Sequence, residues 1–408
     1  MQGSLRLRLL LIPVGFYSVR IEYKKNNLFI YLVLFYFPSM MLSNIVAIKL
    51  NYVFALLIMS FSLLAFLRKK IHAVAMVIAL ILVLIKSLVY GVYGIKPLII
   101  ALMGSLTVIH FIKVFDDCSK DDKNHFLQIT FFNGLLVALI VIGQTLGFLP
   151  SAIGAITFVN TAGFNLLGEY SSGARPSGYF YHPYDTALAL IPIIAAAKLI
   201  TGWGRVIGAV GAVVISIMLG LKILMIFTVL LLIIPLVLSK YANKNNVIIL
   251  YVGLMFGMLI VTGTRFSEFL ISMSAGRLYI WEIMMEQYIH NSSAGSVMLG
   301  YNEDLLINSL FWDGDESYTT HNQYLYTIIY MGLTLFTLFI YIFSKLLVIN
   351  KELNLIILLM FITFALSGDL VVFLGFWVCL SQVYVMLSWR SAKGGSKNGN
   401  LVIRDYNG

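Results

Sequence analysis

Hydrophobic residues in this chain come in long runs rather than in one-sided stripes. Apolar stretches near 28–48, 52–67, 71–90, 97–115, 126–149, 186–202, 205–221, 223–239, 246–263, 323–348, 354–368 and 371–389 are separated by short polar connectors. A helix needs about 20 apolar residues to cross the hydrocarbon core of a bilayer, and most of these runs approach that length. The pattern predicts an all-α integral membrane protein of about twelve transmembrane helices. Asn51, the stretch from Gly91 to Pro97 and that from Ser367 to Asp369 supply turn chemistry between helix ends. Ionisable residues inside the runs are few, chiefly Lys86 and Asp369, and both read as lying near helix ends.

Composition agrees with this pattern. Of 408 residues, 60% are hydrophobic and 11% charged, against roughly 25% charged in a soluble domain. The net charge of +10 sits in connectors rather than on one face. Lys24 and Lys25, Arg68 to Lys70, Lys113, Lys120 and Lys123, Arg205, Lys240 and Lys244, and Lys345 and Lys351 form successive basic groups. Arg390, Lys393 and Lys397 complete the series. Counting alternate connectors puts all of them in the cytoplasm with both termini, the positive-inside pattern, and excludes a nucleic-acid partner. Residues 1–389 then form a single polytopic domain, and 390–408 a flexible cytoplasmic tail. Residues 5–19 are apolar but short and hold Pro13 and Gly15, which suits an interfacial or re-entrant segment better than a leader. Cys118 falls in a basic connector and Cys379 in an apolar run, so no disulfide is expected.

The same alternation places two long loops outside the cytoplasm, 150–185 and 264–322. The first ends in a stretch rich in glycine, proline and tyrosine, from Gly173 to Asp185, where Tyr179 and Tyr184 offer aromatic faces to sugar rings. Arg175 carries a planar fork of donors suited to phosphate oxygens. The plainer reading pairs it with Glu169 or Asp185. The second loop is acidic, holds Arg265 and Arg277, and lacks lysine. Within it Leu278, Trp281, Met284, Met285 and Tyr288 recur at helical spacing, which predicts a surface helix whose stripe is packing rather than a binding box. Asp313, Asp315 and Glu316 match no ligand-loop spacing and read as a solvated turn. Lys222 stands at an outer boundary between two apolar runs. It either snorkels to the headgroups or faces the interior and adds charge near a bound phosphate.

One stretch joins titratable chemistry to a rigid element: Thr320, His321, Asn322, Gln323, Tyr324 and Leu325, where the second loop enters the run 323–348. A histidine at that water boundary can exchange a proton near neutral pH and still be held in place. The bland alternative is an interfacial histidine that donates one hydrogen bond. His72, His110, His125 and His290 lie near helix ends or loop edges.

These residues resemble a known family. His321, Asn322, Leu325 and Gly332 are similar to the His-Asn-x-x-Leu signature of the O-antigen polymerase/ligase family, comprising Wzy-type polymerases and WaaL-type ligases. Arg175, Ser177, Gly178, Phe180, His182 and Pro183 resemble the family's first outward loop. Ser274 to Arg277 with Trp281 resembles an element of its second. Where many members carry Ser-Arg, this chain has Leu221-Lys222, which keeps the charge and loses the fork. The resemblance implies a GT-C-like fold in the bacterial inner membrane with a periplasmic active site. It implies transfer of an undecaprenyl-diphosphate-linked glycan onto a sugar hydroxyl of a second lipid-linked repeat unit, with inversion. In that reading His321 is the general base and Asn322 orients it. Arg277, Arg175, Arg265 and Lys222 hold the diphosphate, while His182, Tyr179 and Tyr184 contact substrate. No metal or other cofactor is expected, because guanidinium groups neutralise the leaving diphosphate. A chain-length regulator is an implied partner. Ligation to lipid A core and transport of the same lipid-linked sugar are the competing functions.

Overall fold

The computed structural model describes residues 4–7, 19–22, 27–46, 48–67, 78, 81–82, 84–86, 88, 95–150, 152–153, 156–157, 159–160, 163–164, 170–171, 175–180, 183–197, 203–234, 236–262, 277–301, 322–366 and 370–394. The framework is helical. The first helices are α1 (Asn27–Leu34), α2 (Tyr36–Val46), α3 (Leu50–Leu67), α4 (Ile95–Asp116) and α5 (Lys120–Thr145). Then come α6 (Pro183–Ala197), α7 (Trp203–Met218), α8 (Lys222–Ile233) and α9 (Lys244–Thr262). The last are α10 (Arg277–Asn291), α11 (Ala294–Leu299), α12 (Gln323–Tyr326), α13 (Gly332–Leu346), α14 (Lys351–Thr363) and α15 (Leu374–Gly394). Apart from 71–90, where only scattered helical residues are described, each apolar run in the sequence carries helix, but 28–48 is divided between α1 and α2 and 323–348 between α12 and α13.

Among the described residues, three spans are long and apolar enough to cross a membrane: Ile99–Asp116, Lys120–Thr145 and Gln323–Leu346. The α1–α2 pair adds a fourth if it counts as one span. Six shorter apolar helices accompany them. The outer faces of the bundle are themselves apolar: Leu56, Ile207, Ile233 and Ile260 are each 68–70% exposed. Water would penalise such a surface and a bilayer would not, so the protein is built to sit in a membrane.

Small antiparallel ladders decorate the frame. Ser4–Leu7 pairs with Val19–Glu22, joining the two ends of the segment 5–19 expected to be interfacial. Ala152–Ile153 pairs with Ile156–Thr157, Val159–Asn160 with Arg175–Pro176, and Gly163–Phe164 with Tyr170–Ser171, all within the first long loop.

The α1–α2 run is bent by 53°. Pro38, inside α2, has no N–H to give, and its ring displaces the carbonyl four residues earlier, that of Leu34. Buried in an apolar bundle, that carbonyl needs another donor. Asn133 of α5 supplies one at 2.9 Å, and Gln382 of α15 reaches both Leu34 and Val33, at 3.3 and 3.0 Å.

Helix α15 is the hub, packed against α6, α4, α5 and α1. Its Trp377 is fully buried and seats its indole on Gly104 of α4, where a Cβ would lie 1.9 Å from the ring. The indole N–H donates to the Val371 carbonyl at 2.8 Å, so the largest side chain of the core leaves no polar atom unpaired.

Three of the basic connectors, those near 113–123, 240–244 and 345–351, share one end of this bundle. Tyr384, about three turns along α15, donates to both carboxylate oxygens of Asp116 at 2.9 and 3.0 Å. Lys123 lies over the Phe115 ring, 5.7 Å from its centre. Asn354, in the first turn of α14, donates to the Ala242 carbonyl at 3.0 Å and to that of Leu347 at 2.7 Å. Chain reversal between α14 and α15 puts these contacts at the same end, opposite the α14–α15 connection.

Candidate functional site

The α14–α15 connection, whose described residues include two short 3-10 turns at Phe364–Leu366 and Leu370–Val372, is where the motif-bearing elements meet. Tyr184, in the first turn of α6, donates its hydroxyl to the Phe364 carbonyl at 3.0 Å. Its ring meets the Phe364 ring edge-on at 5.3 Å and lies 6.2 Å from that of Phe373. Helix α8, which Lys222 opens, brings Phe227 edge-on to the same Phe364 ring at 5.7 Å. From the third direction, Tyr324 of α12 donates to the Phe361 carbonyl at 2.7 Å, and the Gln323 side-chain oxygen accepts from Val371 N–H at 2.8 Å. Three stretches far apart in sequence thus converge on Phe361–Val371.

Asn322 is buried and acts as the N-cap of α12. Its Oδ1 accepts from the backbone N–H of Tyr324 at 2.9 Å and of Leu325 at 3.2 Å, satisfying two donors that a helix start leaves open. The asparagine beside His321 therefore fixes the direction in which the chain enters the helix. Gln323 continues the polar seam: its amide donates to Thr327 Oγ1 at 3.2 Å, and that hydroxyl lies 2.7 Å from the Tyr251 hydroxyl of α9. Thr327 and Tyr251 escaped the sequence reading, which named Gln323 but gave it no role. A glutamine and a threonine inside an apolar run were the available signal.

The first-loop motif is a turn. Gly178 and Tyr179 take consecutive positive φ angles, 61° and 66°, and Phe180 N–H closes onto the Ser177 carbonyl at 2.9 Å. Positive φ is costly for an aromatic residue, of order 1–3 kcal/mol, so the surroundings must enforce it. They do so from three helices. Gln144 of α5 accepts from Gly178 N–H at 2.9 Å, Asn44 of α2 donates to the Tyr179 carbonyl at 3.0 Å, and Thr186 of α6 donates to the Ser177 carbonyl at 2.5 Å. Phe180 is fully buried with its ring against Phe37. The Ser-Gly-x-Phe part of the motif is thus explained by backbone geometry. Arg175, two residues upstream, is held in register opposite Asn160. Asn44 and Gln144 carried no signal in the sequence.

In the second loop α10 forms where helical spacing placed it, and Trp281, Met284 and Met285 are buried, as packing residues are. Tyr288 stands edge-on to Tyr301 at 5.5 Å; burial, then the neighbouring phenol, raises its hydroxyl above the ordinary tyrosine range.

Of the residues singled out in the sequence, Tyr179 is 8% exposed, Tyr184 half-buried, Asn322 buried and Lys222 exposed. Arg175 and Arg277 are described in backbone only, and His182, Arg265, His321, Asp313, Asp315 and Glu316 lie outside the described residues. Lys86, expected near a helix end, is 2% exposed and donates to the Tyr330 carbonyl. No family model, curated protein or solved structure matches this chain.

Proposed function

We propose that this protein is a membrane glycosyltransferase, an O-antigen or capsule polymerase of the kind its motifs resemble. The observation that carries the reading is the convergence on Phe361–Val371 of the element after the first-loop motif, the helix opened by Lys222 and the helix capped by Asn322. An apolar bundle offers lipid a groove, and the end opposite the basic connectors is the one to receive a glycan outside the cytoplasm.

In this mechanism neutral His321 takes the proton of an acceptor sugar hydroxyl as its oxygen attacks the anomeric carbon of the donor. The bond from that carbon to undecaprenyl diphosphate breaks, and Arg175, Arg265 and Arg277 stabilise the departing diphosphate. Direct attack inverts the anomeric centre. Asn322 caps α12 and so fixes the start of the helix that follows His321 in sequence. The active site faces the periplasm of a bacterial inner membrane, and about twelve spans place both termini in the cytoplasm.

Purified protein given lipid-linked repeat units alone tests this. A ladder of lengthening products supports polymerisation. Extension only when lipid A core is added identifies a ligase. The buried ammonium of Lys86 favours a second reading, translocation of the same lipid-linked sugar, since intramembrane charge often marks a transport path. Movement of that lipid between leaflets without any new glycosidic bond would establish it.

A further inference from the structure

The span that begins at Gln323 is not one regular helix. After the single turn of α12 it passes through a π-helical segment, Thr327–Met331, and then through Gly332 at φ +61° before α13 continues. A residue off the helical region interrupts the hydrogen-bond ladder, so carbonyls just before it need donors from elsewhere. Here donors come from two other segments. Tyr301 N–H donates to the Ile329 carbonyl at 2.7 Å, and the Lys86 ammonium donates to the Tyr330 carbonyl. The break is clamped at backbone level as well. Gly300, which ends α11 with φ +79°, lies so close that a Cβ on it would meet Tyr330 O at 2.1 Å, and one on Gly332 would meet Gly300 N at 2.3 Å.

Each residue of an α-helix turns the chain by about 100°, so the wider π turn resets the angular phase between the outer turn and the inner helix. The outer turn carries Asn322, Gln323 and Tyr324, whose bonds to Leu325 N–H, Val371 N–H and the Phe361 carbonyl form one side of the candidate site. We propose that Lys86 is a positioning residue for that site: its buried ammonium holds the Tyr330 carbonyl, fixes the π turn, and thereby sets the direction in which Asn322 and the outer turn are presented. The inference rests on the polymerase reading for its catalytic consequence, but not for its structural one. A positive charge in an apolar bundle is costly, which selects for a role that a neutral side chain fills less well.

Backbone amide exchange on the full-length protein in lipid nanodiscs tests it, wild type against Lys86→Met and Lys86→Arg, with glycan transfer followed in parallel. For Lys86→Met, exchange across 323–332 is expected to quicken roughly tenfold or more, as for loss of one hydrogen bond from a charged donor. Amides of α15 should keep their wild-type rates, and transfer should fall in kcat while the donor KM holds. Lys86→Arg, still a charged donor, should restore most of the protection. If the Met variant does not accumulate, Lys86→Gln should show intermediate exchange over the same segment. Wild-type rates at 323–332 in either neutral variant overturn the proposal. So does an increase spread evenly over the bundle, which would mark a general packing role. Local exchange as expected in a protein whose wild type builds no glycosidic bond sinks the polymerase reading and leaves the placement of Lys86 standing.

Discussion

The Tyr184 hydroxyl donates to the Phe364 carbonyl at 3.0 Å, across 180 residues of chain, and so ties the end of the first long loop to the connection between the last two helices. That carbonyl belongs to a 3-10 turn at the close of α14, where helical donors have run out. The bond therefore serves the fold, and it keeps the first turn of α6 beside the site. Tyr184→Phe should lower stability by about 1 kcal/mol, the net worth of one hydrogen bond, with the ring packing retained. Thermal unfolding in detergent measures it, and a variant as stable as wild type would mean that water replaces the phenol there.

Asn322 offers a sharper separation of roles. Asn322→Ala removes the cap of α12 and should cost about 0.5–2 kcal/mol, whereas Asn322→Asp keeps an acceptor oxygen and should hold most of that stability. If capping is the means by which Asn322 serves the reaction, the aspartate variant should also retain more transfer activity than the alanine variant. Equal activities in the two would refute that link.

Removal of the general base has its own signature. His321→Ala should leave expression and unfolding temperature unchanged while polymer formation drops by roughly 10²–10⁴-fold, the range of general-base assistance. Polymer ladders of ordinary length and yield from that variant would end the catalytic assignment of His321.

Gly104 tests the core. Gly104→Ala puts a methyl group 1.9 Å from the Trp377 ring, too close for adjustment of a flexible side chain to absorb. Overpacking of this kind costs about 1–3 kcal/mol, and a Trp377→Phe partner should recover part of it. Independent, additive losses in the double variant would contradict the packing described here.

Gln382→Leu should destabilise by about 1–3 kcal/mol, because Val33 O and Leu34 O lose a donor at the Pro38 bend. Pairing it with Pro38→Ala, which returns an N–H to the Leu34 carbonyl, should soften the loss. Unfolding midpoints of the four proteins decide the matter.

The sequence by itself determined the solvent. Runs such as 126–149 and 323–348 are apolar on every face, and that requires lipid whatever the tertiary arrangement, because the energy of transfer depends on composition and not on partners. Periodicity found α10 and the burial of Trp281, Met284 and Met285 on it. Only the tertiary structure decided which polar groups meet. Asn44 and Gln144 hold a strained turn, Gln323 reaches Val371, and Lys86 reaches Tyr330, each across tens to hundreds of residues. In an apolar bundle a backbone group released by a proline, a glycine or a helix end must find a donor or acceptor, and which side chain answers depends on three-dimensional proximity that no local pattern records.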